Sequence, residues 1–259
     1  VIEPRVEAVT GAAVGEYLAA LAVLRIEVFR EWPYLYDGDV AYEERYLAPY
    51  ATTADALVAI AWAGDGLVGA ATALPLAAHS DEVVPPLVGA GYDPATVYYF
   101  GESVLRRDFR GRGLGHRFFD EREAFARARG YRTAAFCAVD RPADHPRRPA
   151  DYVPLDRFWG KRGFVRRPDI IARFAWKDLD ADAETDRHRE RTVGMSPRDK
   201  ASIPPYQSAF GLAGSLFRTT SISWPAAPDS AAGFSAICAS AAPRRAVMLL
   251  PLDRSIARR

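Results

Sequence analysis

The sequence predicts an α/β fold, with helices packed on a mixed central β-sheet and an irregular C-terminal tail. Three observations carry this reading. Apolar residues recur at helical spacing over residues 14 to 29, two apolar runs are joined by Gly64-Asp65-Gly66, and a strand, a glycine-rich turn, a helix and another strand succeed one another between residues 97 and 139. The first is an amphipathic helix and the second an antiparallel hairpin. The third forms a right-handed parallel crossover, so one sheet holds both kinds of pairing.

Taken in order, Leu18, Leu21, Ala22, Ile26 and Phe29 share one face, which makes residues 14 to 29 a core-facing helix. The segment after Trp32 holds a second short helix at residues 42 to 46. Residues 56–63 and 67–73 are the hairpin strands, and the Pro-rich stretch 80–94 is a loop. A strand follows at Val97–Leu105, then a helix over 114–129 stopped by Gly130, then a strand over 132–139. A Pro- and Arg-rich loop at 141–149 leads to a short helix at 155–162, ended by Gly163, and residues 170–176 supply a further strand. No internal repeat interrupts this order.

With 49% apolar, 12% aromatic and 26% charged residues, the chain can bury a sizeable core. Its formal charge is only +1, and its cations are Arg except for Lys161, Lys177 and Lys200, so neither nucleic acid nor an anionic membrane is implied as partner. Cys137 and Cys238 are the only cysteines. They make neither a disulfide framework nor a zinc cluster, and they fit a reducing, cytoplasmic setting. No signal peptide is expected, and no apolar stretch reaches the ~20 residues of a membrane helix.

Composition breaks near residue 190. Serine occurs before it only at Ser80 and Ser103 and ten times after it, whereas Glu is absent beyond Glu190. The chain thus divides into a unit over 1–180 and a Ser/Ala/Pro-rich extension over 181–259, read as irregular or disordered. Residues 178–190 are charged, and no apolar strand closes the unit there. Either residues 246–252 return to that place, or the extension is unrelated sequence, for which a change of reading frame near residues 187–191 is one origin.

The chemistry concentrates in Arg110-Gly111-Arg112-Gly113-Leu114-Gly115, between the strand ending at Leu105 and the helix beginning at Leu114. The first N–H groups of a helix are unsatisfied and carry the positive end of its dipole, and glycines let the backbone approach an anion closely. Arg106, Arg107, Arg110 and Arg112 add local charge to a nearly neutral chain. The loop is therefore a candidate phosphate cradle, and His116 in the first helical turn is a candidate phosphate contact.

Here the chain resembles the GNAT acetyltransferase superfamily, whose signature is Arg or Gln, two residues, Gly, one residue, then Gly or Ala. Arg110, Gly113 and Gly115 match it, and Phe158-Trp159-Gly160-Lys161-Arg162-Gly163-Phe164 is similar to the family's aromatic segment ending in Gly-Phe. The resemblance spans residues 14 to 178. It implies a GNAT-like sheet whose strands splay apart beside the cofactor, and an N-acetyltransferase that passes the acetyl group of acetyl-CoA directly to a primary amine. It also implies that backbone N–H groups from Arg110 to Gly115 hold the pyrophosphate, that Leu105 and Arg107 pair with the pantetheine arm, and that Phe158 and Trp159 flank that arm.

Amide formation from a thioester needs a neutral amine and a proton for the departing thiolate. Glu102, on the strand beside the pantetheine, is the candidate base, with pairing to an arginine as its other reading. Strand alternation sets Glu102 and Val104 on one face and Ser103 and Leu105 on the other unless a bulge intervenes. Trp159 stands where the family often places an acidic tyrosine, and an indole cannot protonate a thiolate. Tyr152 is the nearest phenol and the substitute. By the resemblance, the segment with Glu31, Tyr34, Tyr36 and Asp37 lines the acceptor cleft. Its carboxylates and rings suit a cationic amine, either a small molecule or a peptide. No His, Asp or Glu set has metal-ligand spacing, and a homodimer is compatible with the sequence.

Two other readings remain open at this stage. A non-catalytic acyl-CoA sensor would keep the cradle and lose the acid and base. A dinucleotide-binding protein would use Asp140 as its ribose partner, although the glycines run Gly-x-Gly-x-Gly rather than Gly-x-Gly-x-x-Gly.

Overall fold

A computed structural model of the chain describes residues 3–79, 82–179, 181, 189–194 and 244–251. Within them the order is β1 (Arg5–Thr10), α1 (Leu18–Phe29), α2 (Val40–Thr52), β2 (Leu57–Ala63), β3 (Gly66–Pro75), α3 (Val84–Gly89), β4 (Val97–Leu105), α4 (Leu114–Ala128), β5 (Thr133–Asp140), α5 (Asp156–Lys161), β6 (Val165–Arg166), β7 (Ile170–Phe174), β8 (Arg189–Gly194) and β9 (Arg244–Pro251). The sheet runs β1-β2-β3-β4-β5-β9-β8-β7, with β6 paired to β9. Pairing is antiparallel from β1 to β4, parallel between β4 and β5, and antiparallel between β5 and β9. This is the expected mixed sheet.

Four local readings are corrected. Residues Arg5–Thr10 form a strand outside the sequence reading, because the alternation of Val6 and Ala8 with Arg5 and Glu7 is short and is broken at Val9. Residues 11–17 form 3-10 turns, so α1 begins only at Leu18. The Pro-rich excursion contains α3, in which Pro85 and Pro86 occupy the first turn, where a missing N–H is tolerated. The second helix is also longer than its short reading, capped by Asp39 accepting from the Tyr42 amide.

Strands β2 and β3 are buried on both faces, which explains their unbroken apolar runs. Val58 and Ile60 pack with Leu21, Leu24, Leu47 and Tyr50 of α1 and α2, whereas Leu57, Ala59 and Ala61 pack with Leu114 and Phe118 of α4. The sheet is thus a layer between α1–α2 and α4, and the two helix layers fix what can reach its middle strands.

Two features of the middle strands position the site. Strand β4 pairs with β5 only at Val97–Tyr99 against Thr133–Ala135, and beyond that point the two part. The splay expected from the family resemblance is present. On the other edge of β4, Ala71 faces Ser103 and Ala73 faces Phe100, so Gly101 and Glu102 together oppose Thr72. That two-against-one count is a β-bulge, placed at the mouth of the splay.

Of the two readings of the extension, the fold shows the returning strand. Arg244–Pro251 lies antiparallel beside β5, and Arg189–Gly194 lies between it and β7. Those two segments are extended rather than irregular. Residues 195–243 and 252–259 lie outside the described residues.

Candidate active site

The glycine loop meets its expectation in backbone detail. A short 3-10 turn, Arg107–Phe109, separates it from β4, and Gly113 caps α4 with φ 80° after Gly111 at φ 75°. A side chain in either place would strain the left-handed backbone. Among the described residues, the amides of Gly111, Arg112, Gly113, Leu114 and Gly115 find no hydrogen-bond acceptor, while the His116 amide turns back to Gly113 O. Five consecutive free donors at a helix N-terminus fit a pyrophosphate.

The arginines of the loop are arranged differently from a simple cationic fringe. Arg110 pairs with Glu31 at 2.7 Å and donates through Nε to Leu105 O at 3.0 Å; Arg106 pairs with Glu27 at 3.0 Å. These contacts tie the end of α1 to the loop. Arg112 stands over the Phe109 ring. His116 meets the edge of Phe158 and lies 3.2 Å from Arg162, which also binds Asp120 and buried Glu123. Arg162 thereby clamps α5 onto α4.

Glu102 is buried at the bulge, with its amide donating to Thr72 Oγ1 at 3.3 Å. Its carboxylate forms an ion pair with Arg25 Nη1 at 2.5 Å and accepts a long hydrogen bond, 3.5 Å, from the Tyr46 hydroxyl. The Arg25 Nε binds Glu43, which is fully buried. The guanidinium also lies 4.9 Å from the Phe29 ring and 4.3 Å from that of Tyr46. The reading of Glu102 as paired with an arginine is therefore realised, through Arg25 of α1 rather than an arginine of the loop. From beneath β4, buried Arg122 of α4 donates to Thr72 O and Glu102 O, both at 3.3 Å, and holds the bulge. Burial pushes its pKa down to about 9, against the pull of Glu102 and Glu123.

Around this network lies a cleft of about 550 Å³, open at its mouth, walled by Phe29, Tyr34, Tyr36, Tyr46, Trp176 and Cys137. Burial, then the charge of Glu43, holds the Tyr36 phenol far above its usual range. A second cleft of about 600 Å³ opens beyond β5, lined by Trp32, Pro33, Ala138, Arg141, Tyr152 and Trp159 among others. Tyr34 and Tyr36 thus line the same cleft as Glu102. Tyr152 does not share their cleft; its ring meets the edge of Trp32 at 5.9 Å. Phe158 and Trp159 pack on Phe119 and Phe136 respectively, on the α4 side of the sheet.

The acidic segment after α1 is compensated internally. Glu31 is taken by Arg110, and Asp37 by Lys177 at 2.8 Å and Arg30 at 3.1 Å. Hydrogen bonds from Lys177, then Arg30, hold the Asp37 carboxyl below its ordinary range. A folded-state value below the unfolded one means that this contribution persists above the usual aspartate range and fades only as pH falls through the lower value. An NMR titration is expected to place the Asp37 midpoint below ~3.9, with Lys177→Gln moving it back up.

Residues 23–149, from α1 to the loop after β5, match the acetyltransferase (GNAT) family model. No curated protein matches the chain by sequence. Among solved structures, a GNAT-family protein of Desulfovibrio desulfuricans aligns at 13% identity over 73% of this chain and 96% of its own, with TM-score 0.44. The yncA protein of Salmonella typhimurium, solved with its cofactor acetyl-CoA, aligns at 10% identity over 99% and 98%, with TM-score 0.46. An N-acetyltransferase from Staphylococcus aureus aligns at 13% identity over 63% and 84%, with TM-score 0.41. Among the described residues no helix is long and apolar enough to cross a membrane, and no group of three or more His, Cys, Asp or Glu side chains is gathered as for a metal ion. On this match, residues 23–149 of the chain belong to the acetyltransferase (GNAT) family.

Proposed function

We propose that the protein is an N-acetyltransferase that passes the acetyl group of acetyl-CoA to a cationic primary amine. The observation that carries this is the run of five free amides, Gly111 to Gly115, at the head of α4 beside the point where β4 and β5 part. These donors would receive the pyrophosphate, with Arg107 and Leu105 O beside the arm and Phe158 and Trp159 across from it. Bound acetyl-CoA supplies an activated acetyl thioester. The chain's own residues hold it in the splay, admit the amine and move protons.

Glu102 is the proposed base. It lies at the bulge, facing the first cleft, and Tyr46 can relay to it. Glu102 takes one proton from the bound ammonium, so that the neutral amine attacks; attack forms the N–C bond and breaks the C–S bond, the nitrogen loses its second proton to solvent, and the thiolate takes one from Tyr152 or from solvent. Cys137 lines the first cleft and Ala138 the second, as neighbours on a strand face opposite sides. Base and acid would thus approach the gap beside β5 from its two faces. The cationic preference rests on the first cleft itself, where two carboxylates, Glu43 and Glu102, face one guanidinium, Arg25. An ammonium guest restores the balance, and the aromatic walls favour it further. Glu31 and Asp37, already paired, serve instead to hold the wall.

Calorimetric titration is expected to show binding of acetyl-CoA and not of NAD, with thiol release on addition of amines. Glu102→Gln should lower kcat by roughly 10²–10⁴-fold while leaving acetyl-CoA binding within about twofold. Binding of NAD alone would overturn the cradle, and tight acetyl-CoA binding without turnover of any amine would establish a sensor instead.

A further inference from the structure

The second cleft carries charge that the proposed chemistry leaves unused. Its ionic lining is Arg141, Arg148, Arg166 and Asp156. Arg141 is neutralised by Asp178 at 2.8 Å, and Arg166 stands 3.9 Å from Asp156. Arg148 is half-buried over the Tyr152 ring, 5.4 Å from its centre, and makes no ion pair among the described residues. Beside it, the indole Nε1 of Trp32 is a buried donor without an acceptor. A guanidinium lacking a counter-ion and an N–H lacking an acceptor, in one cavity, are the elements of an anion receptor.

The cofactor does not need this receptor. Its anionic pyrophosphate is accounted for by the amides of α4, its ribose 3′-phosphate lies beyond the pyrophosphate at the opposite end of the cofactor from the thioester, and the pantetheine arm between pyrophosphate and thioester is uncharged. The acceptor is what remains. The two clefts adjoin through the same loop: Tyr34 walls the first, Trp32 and Pro33 the second, and Arg141 donates to the carbonyls of both Pro33 and Tyr34. The first cleft holds one carboxylate more than it holds guanidinium, and the second holds the reverse, three guanidiniums against Asp156 with Asp178 behind.

We infer that the acceptor is a zwitterion, an amino acid whose amine enters the first cleft while its carboxylate is received in the second by Arg148 and the Trp32 indole N–H. This rests on the proposed N-acetyl transfer for its amine half. One guest of this kind satisfies both clefts at once, whereas a simple amine leaves Arg148 without a counter-ion and the buried Trp32 Nε1 without an acceptor among the described residues. Arg148 is then a specificity residue that contacts substrate and takes no part in proton transfer.

The test pairs each of a panel of α- and ω-amino acids with its own amide, which keeps the amine and removes the anionic charge. With acetyl-CoA saturating, at least one acid is expected to exceed its amide in kcat/KM by about tenfold or more, and Arg148→Gln should abolish that preference while leaving kcat/KM for the amide within about twofold. Uniform preference for amides, or an equal loss on both in Arg148→Gln, would overturn the inference and leave the acetyltransferase reading standing. A second arm requires no turnover. Trp32 and Trp159 line the cleft, so N-acetyl-amino acids should change tryptophan fluorescence saturably, at least tenfold more tightly than their amides, and the difference should vanish in Arg148→Gln. Such binding without thiol release from any acceptor would sink the acetyltransferase reading and leave the anion receptor in place. Equal binding of acid and amide would sink the receptor.

Discussion

Exchanging Arg25 for Met should destabilise the protein by about 3–5 kcal/mol, the cost of removing one partner from a buried ionic group. Arg25 is 6% exposed, and it bridges Glu43 and Glu102, at 0% and 8% exposure. Without it, two carboxylates remain in the cleft with no ion-pair partner among the described residues, and the Tyr46 and Phe29 rings lose the cation they face. Methionine fills much of the volume, so the loss is electrostatic rather than a cavity. Two measurements separate the causes. Denaturant unfolding of Arg25→Met should recover part of the deficit in mildly acidic relative to alkaline buffer, because a bound proton supplies the missing positive charge. Arg25→Met combined with Glu43→Gln should be more stable than Arg25→Met alone, by a coupling of ~0.5–3 kcal/mol. A loss that is independent of both would mean that Arg25 acts by packing. Acetyl-CoA binding is expected to survive in either variant, since the free amides of α4 do not touch this network.

The cofactor side of this site was legible in the sequence because its physics is local. Free helix amides and left-handed glycines are properties of a few consecutive residues, and the strand, loop and helix around Gly113 fall close to their expected bounds. The hairpin over β2 and β3 was legible for the same reason, through Gly64 and Gly66. The acceptor side was not, because it is assembled from residues far apart in sequence. Yet a signal existed. Arg25 falls in phase with Leu21 and Phe29 on the buried face of α1, Glu43 with Leu47 and Tyr50 on α2, and Arg122 with Phe118 and Ala126 on α4. A charged residue at a core-facing position is rare unless it is paired. Glu31 and Asp37, by contrast, suggest an open acidic surface through their density of charge, and the fold engages both in bridges, to Arg110 and Lys177. The returning strand β9 was visible as an apolar run, but its place beside β5 depends on pairing across a hundred residues. Local pattern carries no register of that kind.

The loop that lines both clefts should depend on one side chain, Arg141. Its guanidinium binds both carboxylate oxygens of Asp178, at 2.8 and 3.3 Å, and also donates to the carbonyls of Pro33 and Tyr34. Trp176 Nε1 joins from below, at 3.1 Å from Asp178 and 3.3 Å from Tyr34 O. Backbone bonds from Asp37 to Lys177 O and from Leu179 to Leu35 O run alongside. Arg141→Leu therefore removes the guanidinium that neutralises a buried carboxylate and donates to two carbonyls, and about 3–5 kcal/mol should be lost, or roughly 6–20 °C in Tm for a chain of this size. Arg141→Leu with Asp178→Leu removes that carboxylate as well and should regain much of the loss, because a buried ion pair replaced on both sides by apolar groups is often close to neutral. If that double variant is folded but the loop at 32–37 was held only by the bridge, acetyl-CoA binding should stay near wild type while KM for the acceptor rises. A double variant with unchanged acceptor KM would show that the segment from Trp176 to Leu179 holds the loop through its backbone, and that the Arg141–Asp178 pair contributes stability alone.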